Sequence, residues 1–276
     1  MYRGRFAPSP TGPLHLGSLV AAAASYLDAR AQGGEWLVRM ENVDEPRCSP
    51  AHAMTILRQL EAYGFEWSGQ VVYQSQRKQA YRAALDELQR RGAVFGCACT
   101  RKELDGGEFY PGTCRDGTAG EARSWRLRVD SKPVVFADRW MGPQHEVLSE
   151  TVGDFVLLRA DGYFAYQLAA VVDDGWQGIT DVVRGADLLS SAARQIFLQR
   201  RLACATPRYL HVPVVTDAAG EKLSKQTKAE TIPLPASDAS LRWALRFLGL
   251  KPPAGASQRE MWAWAAEQWP RLRGTE

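Results

Sequence analysis

Pro8-Ser9-Pro10-Thr11-Gly12-Pro13-Leu14-His15-Leu16-Gly17-Ser18 is the stretch that decides the fold. It follows a short β-type run, Tyr2 to Ala7, and leads into an alanine-rich apolar helix over residues 18–31 that Gly33-Gly34 closes. Glu35-Trp36-Leu37-Val38-Arg39-Met40 reads as a second strand. Strand, Gly/Pro loop, helix and strand make a βαβ unit, with the loop at the carboxyl end of its first strand. Pro10 and Pro13 stiffen that loop, while Gly12 and Gly17 let its backbone lie flat against a ligand. A helix opening near Gly17 aims free amides and its positive dipole end at the loop, which favours a phosphate. His15 adds an imidazole able to donate to developing phosphate charge.

Working outward, Ser49-Pro50 predicts an N-cap and first helical position, and the helix runs to about Tyr63 before Gly64. Residues 76–91 predict another amphipathic helix, ending at Gly92. From about Val94 to Leu158 cysteines, glycines and β-type stretches such as Ser124 to Val129 replace the helices, as in an insertion. An αβ rhythm then returns: an apolar helix from Tyr163 to Val172, a strand at Ile179–Arg184, a helix from Leu188 to Leu202 and a strand near Leu210–Val215. Past Pro233 and Pro235 come two short helices, about 238–249 and 258–268, the second opened by the capping box Ser257-Gln258-Arg259-Glu260. The expected division is 1–93 and 161–236 as two halves of one α/β domain, 94–160 as the insertion, and 237–276 as a short helical part.

With 276 residues the chain can bury a sizeable core, and 45% hydrophobic with 24% charged residues is ordinary for a globular protein. A net charge of +3 permits a nucleic-acid partner without demanding one. There is no leader-like N-terminus and no apolar run of membrane-spanning length, so a cytoplasmic protein with no membrane partner is expected. Of the five cysteines, three crowd into one segment, which suits a metal site in a reducing compartment better than a disulfide framework.

About two hundred residues beyond the first loop stands Lys222-Leu223-Ser224-Lys225-Gln226. Two ammonium groups on a polar loop serve as mobile point charges, suited to stabilising charge as it moves onto pyrophosphate. Taken with the His15 loop, Lys222 and Lys225 point to activation of a carboxylic acid by ATP. A third set is Cys97-x-Cys99, ten residues, Tyr110, three residues, Cys114. Three thiolates among glycine-rich turns can close a tetrahedral zinc site once a fourth ligand is found. Spacing alone leaves Glu103, Asp105, Glu108, Tyr110, Asp116 and the later His145 open for that place, and free thiols remain the alternative to a metal. Finally, Arg5 and Arg184 lie near the ends of strands, Glu41 follows one, and Tyr166 sits early in an apolar helix. Two guanidiniums, a carboxylate and a phenol at the carboxyl edge of a parallel sheet match an acidic amino acid.

These residues resemble class I aminoacyl-tRNA synthetases of the glutamyl/glutaminyl branch. His15-Leu16-Gly17-Ser18 stands where that class carries its HIGH word, and Lys222-Leu223-Ser224-Lys225-Gln226 where it carries KMSKS. Val38-Arg39-Met40-Glu41-Asn42-Val43-Asp44, Val171-Val172-Asp173-Asp174 and Val183-Arg184-Gly185-Ala186-Asp187-Leu188 continue the likeness, up to about residue 236. Two positions depart from it: Ser18 replaces the second histidine and Gln226 the last serine. The chain also stops about fifty residues after the second word, whereas a glutamyl-tRNA synthetase continues into a large helical anticodon-binding region. With the Cys-x-Cys…Tyr…Cys insert, this is similar to the glutamyl-queuosine tRNA(Asp) synthetase family.

The resemblance implies a Rossmann-like class I catalytic domain with a zinc-binding insertion and a short helical C-terminal part. It implies that ATP, with Mg²⁺, activates L-glutamate without tRNA, and that queuosine in tRNA(Asp) then takes the glutamyl group. It places one structural Zn²⁺ on Cys97, Cys99, Tyr110 and Cys114, the glutamate pocket at Arg5, Ala7, Ser9, Glu41, Tyr166 and Arg184, and Lys225 at the ATP site. A monomer is expected. Three other readings stay open on sequence: a shortened glutamyl-tRNA synthetase acting on a tRNA 3′ end, a non-catalytic RNA-binding relative, and a small-molecule nucleotidyltransferase.

Overall fold

Residues 1–276 other than 101, 105–108, 119, 217–229 and 274–276 are described by the structure, a computed structural model. The opening unit is β1 (Arg3–Phe6), α1 (Leu16–Ala31) and β2 (Glu35–Met40), followed by α2 (Pro50–Ala62), β3 (Val72–Tyr73) and α3 (Lys78–Arg90). The middle holds β4 (Val94–Cys97), β5 (Ser124–Leu127), β6 (Val134–Asp138), β7 (Gly142–Glu146), a single turn α4 (Leu148–Thr151) and β8 (Val156–Leu158). Then come α5 (Tyr166–Gln177), β9 (Asp181–Gly185), α6 (Leu189–Arg201) and β10 (Arg208–Val212), and last α7 (Asp238–Phe247) and α8 (Gln258–Arg273).

β1 pairs in parallel with β2 and β2 with β3, while β10 pairs in parallel with β9 on one side and β6 on the other. The Thr180 amide donates to the Arg3 carbonyl at 2.9 Å, setting β9 beside β1. The parallel strands therefore run β3-β2-β1 and then β9-β10, and the order reverses between β1 and β9. Ligand crevices of doubly wound sheets form outside the carboxyl ends of the strands at such a point. Alternate strand residues serve opposite layers: Trp36, Val38, Val183 and Leu210 join a core with α1, α2, α7 and α8. Leu37, Val182 and Tyr209 face the other, with α3, α5 and α6. Helix α1 is buried almost all round, and its alanines at 22, 23, 24 and 29 let sheet and helices close on it.

Several boundaries moved for physical reasons. The helix expected over 163–172 runs 166–177 instead. Its start is delayed because Phe164 bridges to Leu158 and the Ala165 amide donates to the Leu157 carbonyl. It runs on past Val172 because Asp173 and Asp174, which look like a polar end, are buried among arginines. Pro50 does open α2, yet the Ser49 side chain makes no capping bond; its amide donates to Pro10 and ties the first loop to α2. The Ser257/Glu260 box forms reciprocally at the start of α8. Within 94–160 the strands divide. β4, β5 and β8 form an antiparallel sheet of their own, whereas β6 joins β10 and carries β7 with it. No described helix is long and apolar enough to cross a membrane.

Candidate active site and metal cluster

A cleft of about 800 Å³ opens at the β1/β9 reversal. Arg5, Ala7, Ser9, His15, Gly17, Glu41, Tyr166 and Arg184 all line it, so the strand-end residues and the Gly/Pro loop do converge. Gly12, buried within the loop, is not among the lining residues. Lys222 and Lys225 lie outside the described residues. The described residues on either side belong to the cleft region: Val212 to Val215 line it, and Thr231 bridges to His15. Ile232 donates to the Leu14 carbonyl at 2.9 Å, and Gln59 bonds both segments, accepting from Leu14 at 2.8 Å and donating to Ile232 at 3.1 Å.

Three helices begin at this cleft. His15 caps α1, Tyr166 is the first residue of α5, and Leu188 precedes α6. Their positive ends favour anions there. His15 Nδ1 accepts the Ser18 amide at 3.3 Å, so that nitrogen is unprotonated and the ring proton of the neutral imidazole sits on Nε2.

Behind the cleft floor lies a buried ionic cluster. Arg5 donates Nε and Nη2 to Asp174 at 3.1 and 3.4 Å. Arg39, fully buried, reaches Asp174 at 2.8 Å, Glu41 at 3.3 Å and Asp173 at 4.0 Å. Asp173 also takes Arg77 at 2.6 Å and the Tyr81 hydroxyl at 2.7 Å. Three guanidiniums thus face three carboxylates, as buried charges require. Burial pushes the Glu41 carboxyl up against the pull of Arg39 and Arg5. It would do the same to Asp174, whose two arginines more than offset it and hold it below its ordinary value.

Arg184 stands apart. It is 5% exposed, and it donates to His211 Nε2 at 2.9 Å, Gln195 Oε1 at 2.8 Å, the Leu188 carbonyl at 3.2 Å and the Tyr166 hydroxyl at 3.3 Å. All four acceptors are neutral, and among the described residues no carboxylate lies within 4.0 Å of it. The two arginines expected to serve as guanidinium forks are thus held differently. Nε and Nη2 of Arg5 are taken by Asp174, whereas Arg184 has no carboxylate partner among the described residues. Sequence reading missed Asp174 and His211 as parts of this site. An acid pair inside an apolar helix and a histidine inside a buried strand were the available signals.

The cysteine cluster forms at the end of β4. Ligand atoms of Cys97, Cys99 and Cys114 lie within 4.8 Å of one another, and the Cys99 and Cys114 sulfurs are 3.5 Å apart. Tetrahedral zinc with bonds of about 2.3 Å sets sulfurs about 3.8 Å apart, so the trio fits such an ion with little movement. The Tyr110 hydroxyl lies 3.5 Å from the Cys97 sulfur and accepts the Cys114 amide at 2.8 Å. The Arg126 guanidinium sits over its ring at 3.8 Å, and burial raises the phenol above its ordinary range. Gly153 is required behind it, because a Cβ there would sit 2.2 Å from the Tyr110 carbonyl oxygen. Burial pushes Cys99 up to about 11. It opposes ionisation of Cys114 too, but hydrogen bonds from the Ala98 amide, Cys99 and Tyr110 bring that thiol down to about 6. His145 is exposed on β7, opposite Val135, and Glu103 is engaged with Thr100. Asp116 is exposed, and Asp105 and Glu108 lie outside the described residues.

Residues 1–108 and 113–244 match the model of the catalytic domain of class I tRNA synthetases (E and Q). The chain belongs to that family. The synthetase is 59% identical to the glutamyl-Q tRNA(Asp) synthetase of Dechloromonas aromatica (strain RCB), over 97% of this chain and 94% of that protein. With the protein of the same name from Thiobacillus denitrificans it shares 56%, over 96% and 92%. Among solved structures it is similar to the glutamate-tRNA synthetase of Elizabethkingia anophelis, with a TM-score of 0.73 and 26% identity over 82% of this chain. It spans about half the length of that solved chain, the match covering 52% of it. The chain is thus a class I aminoacyl-tRNA synthetase-like ligase.

Proposed function

We propose that this synthetase activates L-glutamate with ATP and transfers it to the queuosine of tRNA(Asp). The observation that carries the reading is Arg184, a buried guanidinium at the cleft wall with no carboxylate partner among the described residues. A carboxylate supplies the charge it lacks, through a charge-assisted bond. Relatives at 56–59% identity are named for this reaction, which specifies the acceptor. In the proposed step a glutamate carboxylate oxygen attacks the α-phosphorus of ATP, the P–O bond to pyrophosphate breaks, and glutamyl-adenylate forms. A hydroxyl of the queuosine cyclopentene-diol then attacks the acyl carbon, giving the ester and AMP. Glu41 accepts the substrate ammonium, Arg184 takes the side-chain carboxylate with Tyr166 beside it, and Arg5, Ala7 and Ser9 complete the pocket. The Nε2–H of His15 donates to phosphate oxygen near Gly17.

Mg²⁺ enters with ATP and supplies charge neutralisation on the phosphates. Lys225, helped by Lys222, steadies the departing pyrophosphate; the anchoring of the flanking segments beside His15 supports this placement. Cys97, Cys99 and Cys114, with Tyr110, hold a structural zinc ion that contributes to folding and takes no part in the transfer. The reduced thiol cluster and the tRNA substrate suit the cytoplasm. Because this chain's own residues line the cleft, a monomer suffices.

Two measurements test the reading. Purified protein catalyses glutamate-dependent ATP–pyrophosphate exchange with no RNA present, and Lys225→Ala slows it by roughly 10²–10³-fold, the scale for one lost transition-state contact. Labelled glutamate, mapped by nuclease digestion, lands on the wobble nucleotide of tRNA(Asp) only when queuosine is present. Label on the 3′-terminal nucleotide would identify an ordinary glutamyl-tRNA synthetase instead.

A further inference from the structure

Arg5 and Arg184 line the same cleft and are held in opposite ways. Arg5 bonds directly to a carboxylate, Asp174. Arg184 bonds through Nε to His211 Nε2, and only His211 Nδ1 touches a carboxylate, Asp138 Oδ2, at 2.7 Å. The three side chains come from adjacent strands. His211 on β10 sits opposite Arg184 on β9, and Asp138 ends β6 opposite Tyr209. Both Asp138 and His211 are almost wholly buried, and the imidazole stacks parallel to the Tyr209 ring.

Hydrogen bonding fixes the protons in this row. Arg184 Nε is always a donor, so the His211 Nε2 facing it is an acceptor and carries no proton. His211 Nδ1 therefore bears the ring proton and donates it to Asp138. Asp138 is in turn locked, since its Oδ1 accepts the amides of Met141 at 2.8 Å, Trp140 at 3.0 Å and His211 at 3.2 Å.

We propose that Asp138 and His211 are positioning residues for recognition of the substrate carboxylate, holding the Arg184 fork rigid while leaving its charge uncancelled. A carboxylate placed directly on Arg184, as Asp174 is on Arg5, would fix the side chain equally well and compete with the substrate for it. An imidazole between the two keeps the anion a ring's width away. Burial, and the positive charge of Arg184, hold His211 below the usual histidine range and so keep the acceptor nitrogen bare. The inference rests on the proposed carboxylate-reading role of Arg184.

Asp138→Asn tests it with little change of shape. In that variant the side-chain amide oxygen keeps the three backbone amides, but the NH₂ faces His211 Nδ1 and drives the ring proton to Nε2, against the Arg184 N–H. In ATP–pyrophosphate exchange the glutamate KM should rise on the order of 10–100-fold, the scale of one unsatisfied buried polar contact to a charged group. The ATP KM should change less than about 2-fold, and preference for glutamate over glutamine should narrow. A second pair guards against misfolding. His211→Gln can place its amide oxygen where Nε2 lies and should retain much of the glutamate affinity; His211→Asn keeps only the Asp138 side and should not. Glutamate KM unchanged in Asp138→Asn, or KM values for glutamate and ATP raised alike in every folded variant, overturns the relay alone. A parent enzyme silent in exchange overturns the reading of the site as well.

Discussion

At the residue scale, what distinguishes this cleft is which buried charge lacks a partner. Arg5, Arg39 and Arg77 are matched by Glu41, Asp173 and Asp174, while among the described residues Arg184 meets only neutral acceptors. Arg184→Ala should therefore raise the glutamate KM by more than tenfold and narrow the preference over glutamine. Its effect on ATP should be small, read from initial rates of exchange at varied substrate. Asp138 allows a prediction about acid. Burial would raise its carboxyl, but bonds from His211 and three amides bring it down to about 2. A carboxyl lowered on folding stabilises the fold above its ordinary value near 3.8, and that contribution disappears as pH falls toward about 2. The gap in Tm between the parent and Asp138→Asn should be widest near neutrality and narrow as pH falls from about 4 to about 2. A constant gap would assign the stabilisation to something other than the ionised carboxylate. Arg5, Glu41 and Arg184 were legible in sequence because strand ends announce them. Asp138 was not, because its strand lies in a stretch whose composition reads as an insertion.

At the element scale, the βαβ opening could be read almost to the residue because loop chemistry and periodicity agree there. α5 could be read only in part, since buried acids paired with arginines from β1, β2 and the turn before α3 look like a solvated helix end. β6 and β7 illustrate the limit of composition: the pairing of β6 with β10 is a long-range event that no local signal reports. The end of β4 has its own test. If Cys97, Cys99, Cys114 and Tyr110 hold zinc, metal analysis finds one ion per chain, and Cys99→Ser loses it and becomes protease-sensitive around residues 98–123. Structural zinc can contribute on the order of 10 kcal/mol to folding. Tyr110→Phe separates the oxygen from the ring: it keeps the face that Arg126 covers and removes the fourth ligand. It should bind zinc more weakly than the parent in a chelator competition yet fold when zinc is abundant. Equal affinity would leave the fourth position to another ligand.

At the scale of the whole molecule, Asp28 joins parts of the chain that are far apart in sequence. From the last turn of α1 it accepts the Tyr2 hydroxyl at 2.5 Å and the Trp269 Nε1–H at 2.8 Å, and it pairs with Arg139 just after β6. Trp262 makes a second such bond, donating to the Tyr63 carbonyl at 2.9 Å. The last two helices therefore complete the α1 layer rather than hanging from it, and Trp269 is fully buried in the same core as β1 and β2. Trp269→Ala opens a large cavity and removes a donor from Asp28, a change worth about 3–5 kcal/mol for a buried tryptophan. Trp269→Phe keeps most of the bulk and loses the N–H, so its cost should fall nearer the roughly 1–3 kcal/mol of an unsatisfied buried group. Denaturant titration of the three proteins should order them parent, Phe, Ala. Since Trp269 does not line the cleft, the KM values of the folded fraction should stay at parental levels. Loss of glutamate or ATP affinity in Trp269→Phe would instead mean that the α1 layer sets the geometry of the His15 loop, because α1 begins at that loop.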